Sequence, residues 1–507
     1  GESTNISIPN DVSVIADGAF SGSDIQSVSI PYSVTSIGKE AFKSTHNLGK
    51  VRFESGSKLT GIGDRAFFGT QGLAEIELPE GVASIGSEAF STSSVQRVVL
   101  PDGVTSIPAS AFENCIQLSS VTLSDKVETI GANAFDACSA LNKIKVRSAS
   151  GSVAEGLPSS LTTIGKAAFS GARLQSVKLP ASVKTVESEA FANDSSLKTL
   201  ELNEGLASIG NGAFSGTNVA EVVLPDSLIN LGTGVFANMK QLNTVTVGRQ
   251  VPADALTEAF VGDGSLLEFK ADDSVANYSV ADGVLFNKDK TQLVAFPAAK
   301  KTAGGVYTVP ETVKDIAASA FSGAQVSKVN MPKGLASIGK NGFAGAALTS
   351  VVLPDGFEAM GEQAFMSCSS LTYVNIGGAV EVPQRAFSKC VSLSTVNLRC
   401  DLNKLTKIGA LAFSDEEGSS SSSGGDSGYD AATASDSDKD TATYDGAITA
   451  IVLPDSVAEV GSNAFKNLTG MTRAHVGAGL TSGGADLFPG ANALEVLTVA
   501  GANPVYS

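Results

Sequence analysis

Phenylalanine recurs through this chain on a near-fixed period, and that period limits the possible folds more than any other feature. Of 24 Phe, eighteen stand at positions 20, 42, 67, 90, 112, 135, 169, 191, 214, 236, 260, 321, 343, 365, 387, 413, 465 and 488, mostly 22 or 23 residues apart. One phrase surrounds them, L-x-x-V-x-L-P-x-x-V-x-x-I-G-x-x-A-F, nearly intact in IPYSVTSIGKEAF (30–42), LPEGVASIGSEAF (78–90) and MPKGLASIGKNGF (331–343). Self-similarity at such a period marks a stacked array of short units. No unit can bury its own apolar edge, so neighbours must cover one another and build a shared core.

Each phrase translates into backbone. Ser27-Val28-Ser29-Ile30 alternates polar and apolar, the period-2 signature of a half-buried strand. Pro31 ends it, because proline has no N–H to continue a ladder. Val34 and Ile37 form a second short apolar pair across the coil, Gly38 turns the chain, and Ala41-Phe42 sends a ring between coils. The wobble between 22 and 23 sits in the loop after the ring: Ile25 lies five residues beyond Phe20, whereas Leu118 lies six beyond Phe112. Twenty strand phrases run from Asn5-Ile6-Ser7-Ile8 to Val496-Leu497-Thr498-Val499.

The pairing of L-x-x-V-x-L-P with I-G-x-x-A-F-x-x-C-x-x-L resembles the BspA-like leucine-rich repeat of the Treponema pallidum type, over nearly the whole chain. The resemblance implies a right-handed, strand-dominated solenoid of the α/β horseshoe group, about 20 turns of 22–23 residues with parallel strands on the concave face. It further implies a surface-exposed or secreted protein, because the family is associated with host-associated bacteria and some protists. Several members are adhesins for matrix proteins such as fibronectin and fibrinogen, or for other cells. A chain that opens at Gly1 with no basic-then-apolar leader reads as a processed fragment, so an address comes from the resemblance alone.

Residues 1–507 read as a single solenoid with two irregular stretches. Between Phe260 and Phe321 the segment 271–305 carries Tyr278-Ser279-Val280, Val284-Leu285-Phe286 and Leu293-Val294-Ala295-Phe296, with Asn287-Lys288-Asp289-Lys290 as a hairpin turn. A boundary between two half-arrays is the alternative there. The segment 414–446 is rich in Ser, Gly and Asp and nearly free of apolar residues, which predicts a disordered acidic loop insertion. The phrase resumes at ITAIVLPDSV, so the insertion belongs to a loop approaching a strand.

Composition narrows the function. Net charge is -17, which opposes non-specific nucleic-acid binding. No apolar run approaches the ~18 residues of a membrane-crossing helix. Only two histidines occur, His46 in a loop and His475 on a strand, and no H-E-x-x-H, G-x-S-x-G or P-loop motif is present. The expected protein is therefore no enzyme and has no cofactor, no metal and no catalytic residues. The positions flanking each inward strand residue carry nine basic residues and five acidic ones, so this face stands positive on an acidic chain. Lys50, Arg52, Arg97, Lys143, Lys145 and Lys178 are the candidate ligand-binding residues, with Lys50/Arg52 and Lys143/Lys145 as the best clusters. Exclusion of Asp, a poor strand former, accounts for part of that bias. Tyr373 is the one aromatic on these positions, where a carbohydrate would stack.

Acidic residues also recur just after the strand, at Glu80, Asp102, Asp125, Glu204, Asp226, Glu311, Asp355 and Asp455. Stacked, they would offer a column of oxygens to calcium; the plainer reading is turn chemistry. Asp436-Ser437-Asp438-Lys439-Asp440 starts like an EF-hand loop, but Thr441 and Ala447 stand where Gly and Glu are needed. Cys115, Cys138, Cys368 and Cys390 share one repeat position and read as buried thiols, while Cys400 has no mate. The expected function is a monomeric cell-surface or secreted module that binds a host or extracellular-matrix protein through its concave face. A structural spacer without a ligand and a carbohydrate-binding module are the alternatives.

Overall fold

The computed structural model describes residues 4–272, 275–414, 447–483 and 487–504. It falls into two compact units, residues 1–255 and 256–507. Each is a parallel β-solenoid, and about twenty coils make up the chain. Among the described residues there is no α-helix; the helical segments are single 3-10 turns at Asp254–Leu256 and Ala303–Gly305.

Three backbone ladders hold successive coils in the first unit. The main strands pair in parallel with inward residues in register, as in Ser27↔Lys50, Val28↔Val51, Ser29↔Arg52 and Ile30↔Phe53. The second apolar pair of the phrase forms a short strand of its own: Ser36–Ile37 lies between Val14–Ile15 and Gly61–Ile62. The third ladder runs along the knuckles, where Phe20, Phe42 and Phe67 each donate N–H to the alanine carbonyl of the next coil at 2.7–2.8 Å. Main-chain donors are thus satisfied on every side, as burial requires.

The knuckles stack the rings. From Phe20 to Phe236, ten phenylalanines lie nearly parallel, with centroids 5.1–5.8 Å apart and planes within 11°. That spacing is close to the ~4.8 Å between paired strands, so the rings stack coil on coil alongside the ladders. Each knuckle needs two left-handed residues, one two places before the ring and one two places after it. Glu40 and Ser44 flank Phe42 with φ 56° and 55°, and Glu88 and Thr92 flank Phe90 with φ 55° and 58°.

The Ile-Gly step has a cause that the sequence reading missed. Gly38 does not need an unusual φ; a Cβ there would sit 2.5–2.8 Å from Asp17 and Ala16 of the preceding coil. Gly210 would place one 2.4 Å from the Ser188 nitrogen. Close approach of coils, with no room for a side chain, selects glycine.

A third irregular stretch was also missed. After Lys143–Arg147 the chain reverses through Ser148–Ser152 and returns as Val153–Glu155, antiparallel to the strand it has just left. This hairpin explains why Phe135 and Phe169 are further apart in sequence than the other stacked neighbours of the first unit, yet their rings still stack at 5.2 Å.

The second unit carries three antiparallel strands, Tyr278–Ala281, Val284–Asn287 and Gln292–Ala295, the last of which joins the short-strand ladder at Asp315–Ile316. Phe296 enters the ring column there, 4.7 Å from Phe321, while Phe260 meets Phe269 edge-on at 72°. The column then runs through Phe343, Phe365, Phe387 and Phe413 to Phe465. Phe413 and Phe465 stack at 5.4 Å and Lys407–Ile408 pairs with Glu459–Val460, so the coils on either side of 415–446 are consecutive. Apart from Ser414, the predicted acidic insertion lies outside the described residues.

Candidate strand-face binding site

The main strands present their outer residues on either side of a buried one. Arg97–Val99, Ser176–Lys178 and Glu221–Val223 each read exposed, buried, exposed. Lys50 and Arg52 flank buried Val51 in this way and both are exposed. Glu75 and Glu77 follow on the next coil and are exposed too, and the backbone of Glu75 lies opposite that of Arg97 in a parallel β-bridge. Among the described residues, no carboxylate lies within ion-pair distance of Lys50, Arg52 or Arg97.

Other predicted cations have partners. Lys143 lies 3.2 Å from Glu155 of the hairpin, and Lys178 lies 2.7 Å from Glu201 of the next strand. Lys270 pairs with Glu268 at 2.9 Å. Lys145 is half-buried in register with Glu155. The structure thus brings Lys50 together with Arg52 and Lys143 together with Lys145, but part of the positive excess is neutralised on the face itself. Tyr373, on a strand of the second unit, is half-buried between Ser350 and Thr395 in the ladder.

The acidic residues after the strands hold the coils together. Asp125 accepts the Ser159 N–H at 2.6 Å, Asp226 that of Arg249 at 3.0 Å, and Asp455 that of Ala478 at 2.7 Å. Glu80 and Asp102 face Arg147 at 3.2 and 3.0 Å, and Asp355 faces Arg399 at 2.7 Å. Oxygens turned to N–H groups and guanidinium do not form a calcium cage, and no group of three or more His, Cys, Asp or Glu among the described residues is placed to hold a metal ion. Sequence reasoning overlooked Arg147 and Arg399. Both fill the repeat position that Pro31 and Pro101 hold on other coils, and that exchange was the available signal.

Four cysteines are buried and all five are free thiols. The sulfurs of Cys115, Cys138, Cys368 and Cys390 each donate to the phenylalanine carbonyl of the preceding coil at 3.0–3.1 Å. Burial pushes the Cys115 thiol up to about 11, far from a nucleophile. His475 is half-buried, its Nδ1 2.8 Å from the Thr498 hydroxyl. A small cavity of ≈ 30 Å³ opens at the irregular turn beside Phe260, Phe269 and Phe296, its polar lining being Asp263, Thr257, Ser319 and Ser322.

Set against known proteins, the BspA type leucine-rich repeat region matches in six copies, over residues 2–58, 52–156, 155–266, 305–419 and 439–503. The chain belongs to the BspA-type leucine-rich repeat family. The stretch between the third and fourth matched regions, 267–304, carries the antiparallel strands of the second unit. Similar solved structures include a leucine-rich repeat protein from Bacteroides ovatus, 22% identical over 80% of this chain and 86% of that chain, with a TM-score of 0.45. One from Eubacterium ventriosum is 23% identical over 73% of this chain and 88% of that one, at 0.47. A leucine-rich cell surface protein from Faecalibacterium prausnitzii is 18% identical over 99% and 89%, at 0.30. No curated protein matches the chain.

Proposed function

We propose that this BspA-type repeat protein is a non-enzymatic recognition module, displayed at the cell surface or secreted, which binds a host or extracellular-matrix protein through its strand face. The observation that supports it most is the exposed cluster Lys50, Arg52 and Arg97, cations on a regular strand surface with no ion-pair partner among the described residues. A broad array of side chains at fixed strand spacing is the kind of surface on which repeat proteins bind partners, and three cations against the two carboxylates of Glu75 and Glu77 on the intervening coil leave a small positive excess for an acidic partner.

The test is binding of the purified chain to immobilised matrix and epithelial surface proteins. Saturable binding that weakens with salt is expected, and Lys50→Glu with Arg52→Glu should reduce affinity about tenfold and flatten the salt dependence. Undiminished binding by the folded double variant sinks the reading. A spacer without a ligand is the second reading, favoured by the internal pairing of Lys143, Lys178 and Lys270; it predicts nothing saturable.

A further inference from the structure

The hairpin at Val153–Glu155 leaves an unpaired strand edge in the strand face. Its register against Lys143–Arg147 is Lys145↔Glu155, Val146↔Ala154 and Arg147↔Val153. Ser148 donates N–H to the Ser152 carbonyl at 2.9 Å, and Gly156 to the Ile144 carbonyl at 3.0 Å. Bonded and non-bonded pairs alternate along an antiparallel ladder, so the bonded pairs are 148/152, 146/154 and 144/156. The main-chain N–H and C=O of Val153 and Glu155 therefore point away from the parent strand. All three hairpin residues are exposed, Val153 by 52%.

The next coil does not close this edge. Ser176–Lys178 pairs onward with Thr199–Glu201. Among the described residues no hydrogen bond joins it to Lys143–Arg147 or to Val153–Glu155. On regular coils the residue before the strand bonds back, as Ser119 does to Gln96 at 2.9 Å and Lys198 to Gln175 at 3.0 Å. Among the described residues nothing donates to the Asn142 carbonyl, the equivalent acceptor. An open strand edge is a template for another strand.

Charge indicates what would add to it. Lys145 and Lys178 occupy the same repeat position on successive coils, with Lys143 and Arg173 nearby in the chain; these four cations meet two carboxylates, Glu155 and Glu201. Among the described residues Lys145 and Arg173 have no ion-pair partner. We propose that the edge at Val153–Glu155 takes up an extended acidic segment of the partner protein as an added strand. The main chain of Val153 and Glu155 supplies the ladder, and the cations read alternate acidic side chains. The inference rests on the strand-face reading and specifies the chemistry of the partner.

The probe is a blocked pentapeptide of alternating aspartate and valine, added to the intact chain and followed by hydrogen exchange. Exchange across 148–157 should slow at least about fivefold at saturation, whereas a lysine–valine counterpart should change nothing. Val153→Pro removes an outward donor and spares the bonded pair at Val146/Ala154, and should weaken the acidic peptide about tenfold. Lys145→Glu keeps the hairpin and should weaken it similarly, which covers a loss of hairpin shape in the proline variant. Unchanged exchange, equal protection by the lysine peptide, or full affinity in both variants overturns the proposal. So does a concentration-dependent dimer that Val153→Pro abolishes, since the edge would then serve a second copy. If matrix-protein binding still depends on Lys50 and Arg52 while the peptide protects nothing, the added strand fails and the strand-face reading survives.

Discussion

Asp194 occupies the repeat position that Cys115 and Cys138 fill on other coils, three residues beyond the ring. It is fully buried and accepts N–H groups from Leu174 at 2.9 Å and Ser196 at 3.2 Å. Burial outweighs those hydrogen bonds and pushes its carboxyl up to about 7. The folded protein therefore holds this proton more tightly than the unfolded chain does. Stability from the protonated form is complete below about pH 4, where the unfolded group is also protonated, and is lost as pH rises to about 7. Asp194→Asn should match the parent near pH 4 and become progressively more stable up to pH 7, with the difference constant above. Each tenfold change in proton affinity is worth about 1.4 kcal/mol, so the plateau should reach a few kcal/mol. Thermal melts of both proteins from pH 4 to 8 check this, and a difference independent of pH contradicts it.

The coil is the element that the sequence states most openly. Ring position, strand register and the short second strand all follow from residue pattern, because each is enforced by burial repeated on every coil. What the pattern hides is whatever depends on contact between coils. Gly38 looks like a turn residue in one phrase and shows its reason only against Asp17 of the neighbouring coil. Arg65 meets Glu88 at 2.7 Å and Glu40 at 3.6 Å because all three share one left-handed position on successive coils, a ladder of charge that a single phrase cannot show. The hairpin at 148–156 escaped notice because SASGS offers no apolar period and Val153-Ala154-Glu155 is too short to alternate. At this scale Gly210→Ala is the informative variant. Its Cβ would fall 2.4 Å from backbone that cannot move alone, and overpacking of that kind costs about 1–3 kcal/mol. Denaturant unfolding should show that loss, and an unchanged midpoint would mean that neighbouring coils are not held together as tightly as the structure has them.

For the molecule as a whole, the candidate site was legible as a face and illegible as a set of charges. Position within the phrase told which side chains point outward, and Lys50, Arg52 and Arg97 are indeed exposed. Position did not tell that Lys143 and Lys178 meet Glu155 and Glu201, since those partners come from a hairpin and from the next coil. In the recognition function proposed above, one side of the coils meets a partner while the ring side holds them. Hydrogen exchange of the intact chain, alone and saturated with a matrix protein it binds, separates the two sides. Protection concentrated on the main strands, Lys50–Phe53 and Arg97–Val99 above all, is the predicted result; protection confined to the knuckle loops around Phe42, Phe67 and Phe90 would contradict it.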